Sequence, residues 1–164
     1  KAIILSGGPM SVYDSNSYKL NKDILNLNIP IFGICYGMQL LMHHFGANVK
    51  SSNLREYGST KIKVINNSNK LFKDINETTK VWMSHGDMIS SFDDKWDILA
   101  ESDNNILASI KHKKKEFYGV QFHPEVLHTI EGGKILHNFL FEIANCKPLW
   151  TSENFIDDTN YEIF

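Results

Sequence analysis

Hydrophobic residues in the first fifty positions form short apolar runs, each followed by a longer stretch with helical spacing. Residues 2–5 and 31–34 are wholly apolar, which predicts two buried strands of the kind found in parallel sheets. Apolar positions then recur at helical spacing over 14–27, with the N-cap expected at 14–17, and again from 36 to about Gly46. Strand, helix, strand, helix is the order of an α/β fold.

Residues 59–121 have a different pattern, with several short strand-like runs separated by polar turns. The runs cover 61–65, 80–83, 96–100, 106–110 and 117–122, and the last two flank a lysine-rich segment that predicts a hairpin tip. A final amphipathic helix is expected from Gly132 onward. We therefore predict a mainly parallel sheet with helices on both faces and a small antiparallel annex over 59–121.

Net charge, the length of apolar segments and the cysteine count indicate which partners and which compartment to expect. The chain has 164 residues and a formal net charge of −2, so we expect neither nucleic acid nor an anionic membrane as its partner. No apolar segment approaches the roughly 20 residues that span a bilayer, and no signal peptide is recognisable. Two cysteines without a disulfide framework suit a reducing compartment, which predicts a cytoplasmic protein.

Cys35 is the first candidate for chemistry because it lies where the strand 31–34 turns into a helix. Gly33 and Gly37 flank it two residues to either side, as in a nucleophile elbow of the form G-x-C-x-G. A helix N-terminus favours thiolate over thiol, so we expect a reactive sulfur. The alternative is a small buried cysteine with a packing role only.

A thiol nucleophile usually needs a base with an orienting acid, and two segments have the required form. They are His85-Gly86-Asp87 and His123-Pro124-Glu125, in which side chains two apart in an extended chain point the same way. The second follows the stronger strand, and Pro124 restricts its backbone, so the pattern favours His123 without excluding His85.

Six segments in order carry a resemblance to a known family. They are LSGGPxSVY (5–13), GICYGMQ (33–39), REYG (55–58), VWMSHGD (81–87), FYGVQFHPEV (117–126) and LWT…IDD (149–158). The chain resembles class I glutamine amidotransferases, and within them the domains that supply ammonia for the amination of XMP to GMP. This resemblance implies a flavodoxin-like sheet and hydrolysis of L-glutamine to glutamate and ammonia.

The resemblance also implies a role for each site residue. Cys35 is the implied nucleophile, His123 the general acid and base, and Glu125 the residue that orients His123. The main-chain N–H groups of Gly8 and Tyr36 are the implied oxyanion hole. The implied glutamine-binding residues are Gln39 and the segment Ser84, His85, Gly86 and Asp87.

Domains, cofactors and partners follow from the same resemblance. Residues 1–146 are the implied amidotransferase domain, without the strands that precede Lys1 in the family, and 147–164 are the linker toward a synthetase (ATP-pyrophosphatase) domain. ATP and Mg²⁺ are expected in that domain, and neither a cofactor nor a metal in this one. A homodimer would form through the missing domains. Independently of the resemblance, the segment 55–57 has chargeable residues and a loop-like pattern, so it is interpreted as a surface or interdomain contact.

Two rival functions remain open on the sequence. Another cysteine hydrolase, such as a γ-glutamyl hydrolase or a cysteine peptidase, would keep Cys35 and His123 but gives no reason for the segment 149–158. A non-catalytic docking module would tolerate loss of the triad residues, all of which are present.

Overall fold

The computed structural model describes residues 1–148, apart from the side chains of 53–55. Within them, seven strands form one sheet in the order β1-β2-β7-β6-β5-β3-β4. The strands are β1 (Ile3–Leu5), β2 (Ile31–Ile34), β3 (Asn48–Val64), β4 (Thr78–Ser91), β5 (Trp96–Ser102), β6 (Leu107–His112) and β7 (Phe117–Val120). The helices are α1 (Lys22–Leu25), α2 (Tyr36–His44) and α3 (Gly132–His137), with a π-helical continuation at Asn138–Ile143 and a 3₁₀ turn at Lys70–Phe72.

The sheet is mixed. β1 pairs with β2 and β2 with β7 in parallel, whereas the pairings of β7 with β6, β6 with β5, β5 with β3 and β3 with β4 are antiparallel. The α/β class is confirmed, but parallel pairings are the minority among the described strands. The expected annex is not a separate unit, because the β6–β7 hairpin inserts β7 beside β2 and joins all strands into one sheet.

Apolar side chains cover both faces of the sheet, as predicted. In β2, Ile31 belongs to the layer that α2 covers with Met38, and Phe32 belongs to the opposite layer. There Phe32 stacks on Phe139 at 4.9 Å between ring centroids. Fully burying one such side chain stabilises the fold by about 1.5–3 kcal/mol. The position of β2 between helices on both faces holds its carboxyl end, and Cys35, in place.

The first helix is shorter than the apolar spacing predicted. It covers only Lys22–Leu25, because the side chain of Asn21 caps it by accepting a hydrogen bond from the N–H of Asp23 at 2.9 Å. The expected N-cap at 14–17 is therefore wrong, and that stretch forms turns instead. None of the helices within residues 1–148 has the length and apolar character needed to cross a membrane.

The strands β3 and β4 are much longer than the apolar runs 61–65 and 80–83 that predicted them. They pair antiparallel almost from end to end, with a register shift between Ser51 and Glu56. Their polar parts have no alternating apolar pattern, so periodicity alone could not extend the strands. This extension brings Glu56 opposite His85, next to the predicted glutamine-binding segment.

Candidate active site

Cys35 lies on a tight turn between β2 and α2, as the glycine pattern predicted. Its backbone has φ 50° and ψ −109°, a conformation that non-glycine residues rarely adopt. A Cβ on Gly33 would lie 2.6 Å from the main-chain nitrogen of Met38, and one on Gly37 only 2.0 Å from the carbonyl oxygen of Leu5. Both positions therefore require glycine, which confirms the elbow geometry.

The Cys35 thiol is buried, and this decides its protonation. Burial raises the pKa of the thiol to about 11, and the N–H of Tyr36 at the helix start offsets this only in part. The expectation of a thiolate is therefore wrong for this conformation, because desolvation outweighs the helix N-terminus. The S–H group points to the carbonyl of Ser84 at 3.7 Å, and the amide of Gln121 donates to the sulfur at 3.7 Å.

His123 and Glu125 make the contact expected of a base and its orienting acid. Nδ1 of His123 lies 2.6 Å from Oε1 of Glu125. A Cβ added to Gly7 would lie 2.9 Å from Cε1 of His123 and 3.7 Å from Cβ of Cys35, so the imidazole and the thiol side chain flank the same glycine. With Nδ1 engaged by the carboxylate, Nε2 is the ring nitrogen left for proton transfer.

The second segment of the same form, His85-Gly86-Asp87, makes different contacts. Nδ1 of His85 lies 2.9 Å from the main-chain oxygen of Asp87, not from its carboxylate. Nε2 lies 3.3 Å from Oε2 of Glu56. The Asp87 carboxylate accepts hydrogen bonds from Ser11 at 2.5 Å and Tyr13 at 2.9 Å. The structure thus separates the two segments that the sequence left as alternatives.

Glu56 is an exception to the interpretation of 55–57 as a surface or interdomain contact. Tyr57 is exposed, but Glu56 is only 5% exposed, and its Oε1 accepts hydrogen bonds from Ser102 and Asn104, each at 2.9 Å. Burial would raise the pKa of Glu56, but His85 and these two donors outweigh burial and hold the pKa below its usual value. The residue is a buried carboxylate with partners on β4 and at the end of β5.

Two glutamines connect this region to the thiol. Nε2 of Gln39 donates to the main-chain oxygen of Asp87 at 3.3 Å and to Oε1 of Gln121 at 3.0 Å. Because both N–H groups of Gln39 are engaged, its carbonyl oxygen is what it can offer a ligand. Gln121 was not predicted as a site residue, although one polar side chain in an otherwise apolar run over 117–122 was an available signal.

The carboxyl end of β2, the start of α2 and the segment Ser84–Asp87 border a cavity of about 700 Å³, a size typical of small-molecule sites. All predicted site residues except Glu125 line it: Gly8, Cys35, Tyr36, Gln39, Ser84, His85, Gly86, Asp87 and His123. Ser11, Tyr13, Ser51 and Tyr57 line it too and were not predicted. No group of three or more His, Cys, Asp or Glu residues suited to a metal ion occurs within 1–148.

A family model for class I glutamine amidotransferases matches residues 1–143, and the chain belongs to that family. Within the family it is similar to GMP synthases. It is 46% identical over 163 residues to the glutamine-hydrolysing GMP synthase of Brachyspira hyodysenteriae and 47% identical over 157 residues to that of Saccharomyces cerevisiae. These matches cover 99% and 96% of the chain but only 31% and 30% of the two relatives.

One solved structure agrees with this assignment, and a second agrees with the fold. A Thermoplasma acidophilum protein assigned as one subunit of a GMP synthase is 33% identical, with a TM-score of 0.72 over 84% of this chain and 70% of its own. A glutamine amidotransferase from Thermotoga maritima has a TM-score of 0.64 over 98% of this chain and 65% of its own. At 24% identity the second supports the fold alone.

Proposed function

We propose that this chain hydrolyses glutamine to glutamate and ammonia with Cys35, His123 and Glu125 as a catalytic triad. The observation that carries the proposal is the position of a cysteine on a strained elbow beside a carboxylate-bound imidazole, in one cavity. This combination suits acyl transfer through a thiol, in which nucleophile, base and orienting group act as one unit.

In the proposed acylation, Nε2 of His123 takes the thiol proton as Cys35 sulfur attacks the side-chain carbonyl carbon of glutamine. The main-chain N–H groups of Gly8 and Tyr36 stabilise the negative oxygen of the tetrahedral intermediate. His123 then gives its proton to the departing nitrogen, the C–N bond breaks and ammonia leaves. The product is a γ-glutamyl thioester on Cys35.

In the proposed deacylation, His123 takes a proton from water, and the hydroxide attacks the thioester carbonyl. Collapse of this second intermediate breaks the C–S bond and returns the proton to Cys35 sulfur, releasing glutamate. Throughout, the Glu125 carboxylate holds Nδ1–H and stabilises the imidazolium. Every proton in the cycle thus moves between His123 and the reacting atoms.

Substrate orientation is proposed to come from Gln39 and the segment Ser84–Asp87, which line the same cavity as Cys35. The Asp87 carboxylate and the Gln39 carbonyl oxygen are acceptors suited to the α-amino group of glutamine. Main-chain groups of Ser84–Asp87 would hold the rest of the amino acid end. The Asp87 carboxylate already binds Ser11 and Tyr13, so a bound ammonium group would share this carboxylate with both hydroxyls.

We propose that the ammonia serves the amination of XMP to GMP in a synthetase domain that uses ATP and Mg²⁺. The chain spans about a third of the length of curated relatives named GMP synthase, and this length difference leaves room for such a domain. Leu127 and Ile130, 99% and 69% exposed, are candidate contacts for it.

A resting thiol that is protonated and turned toward the Ser84 carbonyl supports low activity without the partner domain. We therefore expect the chain alone to be a poor glutaminase. Adding the synthetase domain with ATP and XMP should raise glutamate release by about tenfold or more, since a shift of about an ångström at a reacting atom costs on the order of 10² in rate.

The test is glutamate release from glutamine, with and without that loaded partner, and mass mapping after reaction with 6-diazo-5-oxo-L-norleucine. We expect release that a Cys35→Ser variant lacks, and modification of Cys35 but not Cys146. Preference for γ-glutamyl peptides over glutamine would favour a γ-glutamyl hydrolase. Absence of release and of modification would favour a docking module and reject the proposal.

A further inference from the structure

Glu56 and His85 form a buried pair in which His85 lines the cavity and Glu56 lies behind it, and the proposed reaction gives neither side chain a chemical step. Their side chains are 3% and 2% exposed, respectively. Oε2 of Glu56 and Nε2 of His85 face each other at 3.3 Å, and neither atom makes a well-aligned hydrogen bond within residues 1–148. Burying polar groups without a hydrogen bond costs free energy, so such a pair in a folded protein calls for an explanation.

Two contacts on opposite sides of the His85 ring fix its orientation. Nδ1 faces the main-chain oxygen of Asp87, which can only accept, so Nδ1 carries a hydrogen. Nε2 faces the carboxylate of Glu56, whose other oxygen accepts from Ser102 and Asn104. The anchored Glu56 carboxylate and the Asp87 oxygen therefore hold the imidazole between them.

The pair is the beginning of a continuous set of contacts that reaches the nucleophile. The Asp87 main-chain oxygen accepts from His85 at 2.9 Å and from Gln39 at 3.3 Å. Gln39 donates to Gln121, and Gln121 donates to the sulfur of Cys35. A change at Glu56 therefore acts first on the substrate-binding main chain at Asp87, and three further contacts separate that oxygen from the thiol.

We propose that Glu56 is a positioning residue for the glutamine site, acting through His85 on the main chain at Ser84–Asp87. Ser102 and Asn104 anchor the carboxylate, the carboxylate fixes the imidazole, and the imidazole fixes the Asp87 carbonyl. Glu56 itself does not line the cavity, whereas His85 and Asp87 do. This inference rests on the proposed function, because it assigns Glu56 to the positioning of that same substrate.

The test compares Glu56→Gln with the wild-type chain, using two reagents on Cys35. Glutamine keeps the size and hydrogen bonds of the side chain but removes the charge that faces His85. Modification by 6-diazo-5-oxo-L-norleucine needs a positioned glutamine site and should slow by about tenfold or more. Modification by iodoacetamide, which has no amino acid end, should stay within about twofold.

Two further variants sharpen the result. Glu77→Gln is the matched control, because Glu77 is exposed and pairs with Lys63 at 3.8 Å; its rates should equal those of the wild type. His85→Gln combined with Glu56→Gln should slow the diazo reagent no more than the stronger single variant, since the two residues act in series. Multiplying effects would mean that the residues act separately and would overturn the inference.

The outcomes separate this inference from the proposed function. If wild-type Cys35 does not react with the diazo reagent and no glutamate is released, the proposed function fails. If the wild type reacts and Glu56→Gln reacts equally fast, only the positioning role fails. Should circular dichroism show that Glu56→Gln is unfolded, Asn104→Ala decides: selective slowing of the diazo reagent supports the inference, and unchanged rates overturn it.

Discussion

Two segments of this chain have the same form, a histidine followed two residues later by an acid, yet they meet different partners. His123 binds the carboxylate of Glu125, two residues away, and borders the cavity with its side chain 19% exposed. His85 is almost fully buried and binds the main-chain oxygen of Asp87, while its carboxylate partner, Glu56, comes from the neighbouring strand. The partners in the first pair are close in sequence, whereas the partners in the second come from two strands that the sheet places side by side.

The difference follows from where each segment lies. His123-Pro124-Glu125 comes just after the end of β7, where the chain leaves the sheet and the side chains can turn toward each other. His85-Gly86-Asp87 lies inside β4, so register with β3 decides its neighbours and places Glu56 opposite His85. A short motif therefore indicates a base only where the backbone leaves the two side chains free to pair.

The largest expected effect separates the two histidines directly. His123→Ala should lower kcat for glutamine hydrolysis by a factor of about 10² or more, because it would remove the proposed general acid and base. His85→Ala should mainly raise KM. Steady-state glutamate release at varied glutamine concentrations measures both parameters. Loss of turnover in His85→Ala at saturating glutamine, with His123→Ala active, would reverse the assignment.

The next largest effect should separate the acids of the two segments, Glu125 and Asp87, by the kinetic parameter that each one changes. Glu125→Gln removes the charge that, in the proposed mechanism, stabilises the His123 imidazolium, so kcat should fall by about 10- to 100-fold, whereas Asp87→Asn should act mainly on KM. The same assay reports both, and each variant keeps the size of the original side chain. An unchanged kcat in Glu125→Gln would show that the 2.6 Å contact with His123 has no catalytic role.

A smaller effect is expected from the hydroxyl that binds Asp87. Tyr13→Phe removes a hydrogen bond of 2.9 Å to the carboxylate. Loss of one hydrogen bond costs about 1 kcal/mol, so KM for glutamine should rise by about fivefold with kcat retained. Tyr18→Phe, at an exposed tyrosine outside the cavity lining, is the control and should behave as wild type. Tighter glutamine binding in Tyr13→Phe would mean that Tyr13 competes with the substrate for Asp87.

The smallest expected effect concerns stability in acid. The pKa of Glu56 is held below its usual value in the folded chain, so its stabilising contribution is complete above about pH 4.5 and is lost as pH falls through the folded pKa. Urea unfolding at pH 6 and pH 3.5 should show a smaller acid loss of unfolding free energy in Glu56→Gln than in the wild type. Glu77→Gln should lose stability as the wild type does. Equal losses in all three proteins would contradict the pairing of Glu56.

The sequence by itself determined the parts of the site that depend on neighbouring residues. The elbow at Cys35 follows from Gly33 and Gly37, since any larger residue there would collide with main-chain atoms of the same turn or of β1. The pairing of His123 with Glu125 is equally local. Apolar runs predicted the positions of the strands, whereas the helical spacing over 14–27 predicted a longer helix than α1, and the α/β class followed from the order of the elements.

Only the tertiary structure decided the contacts between distant residues. Ser11 meets Asp87, Gln121 meets the thiol of Cys35, and Glu56 meets His85 because the strand order and register of the sheet bring them together. Periodicity shows which face of a strand is buried, but not which strand lies beside it or at what register. The raised pKa of Cys35 has the same origin, since burial depends on what the whole fold packs around the sulfur.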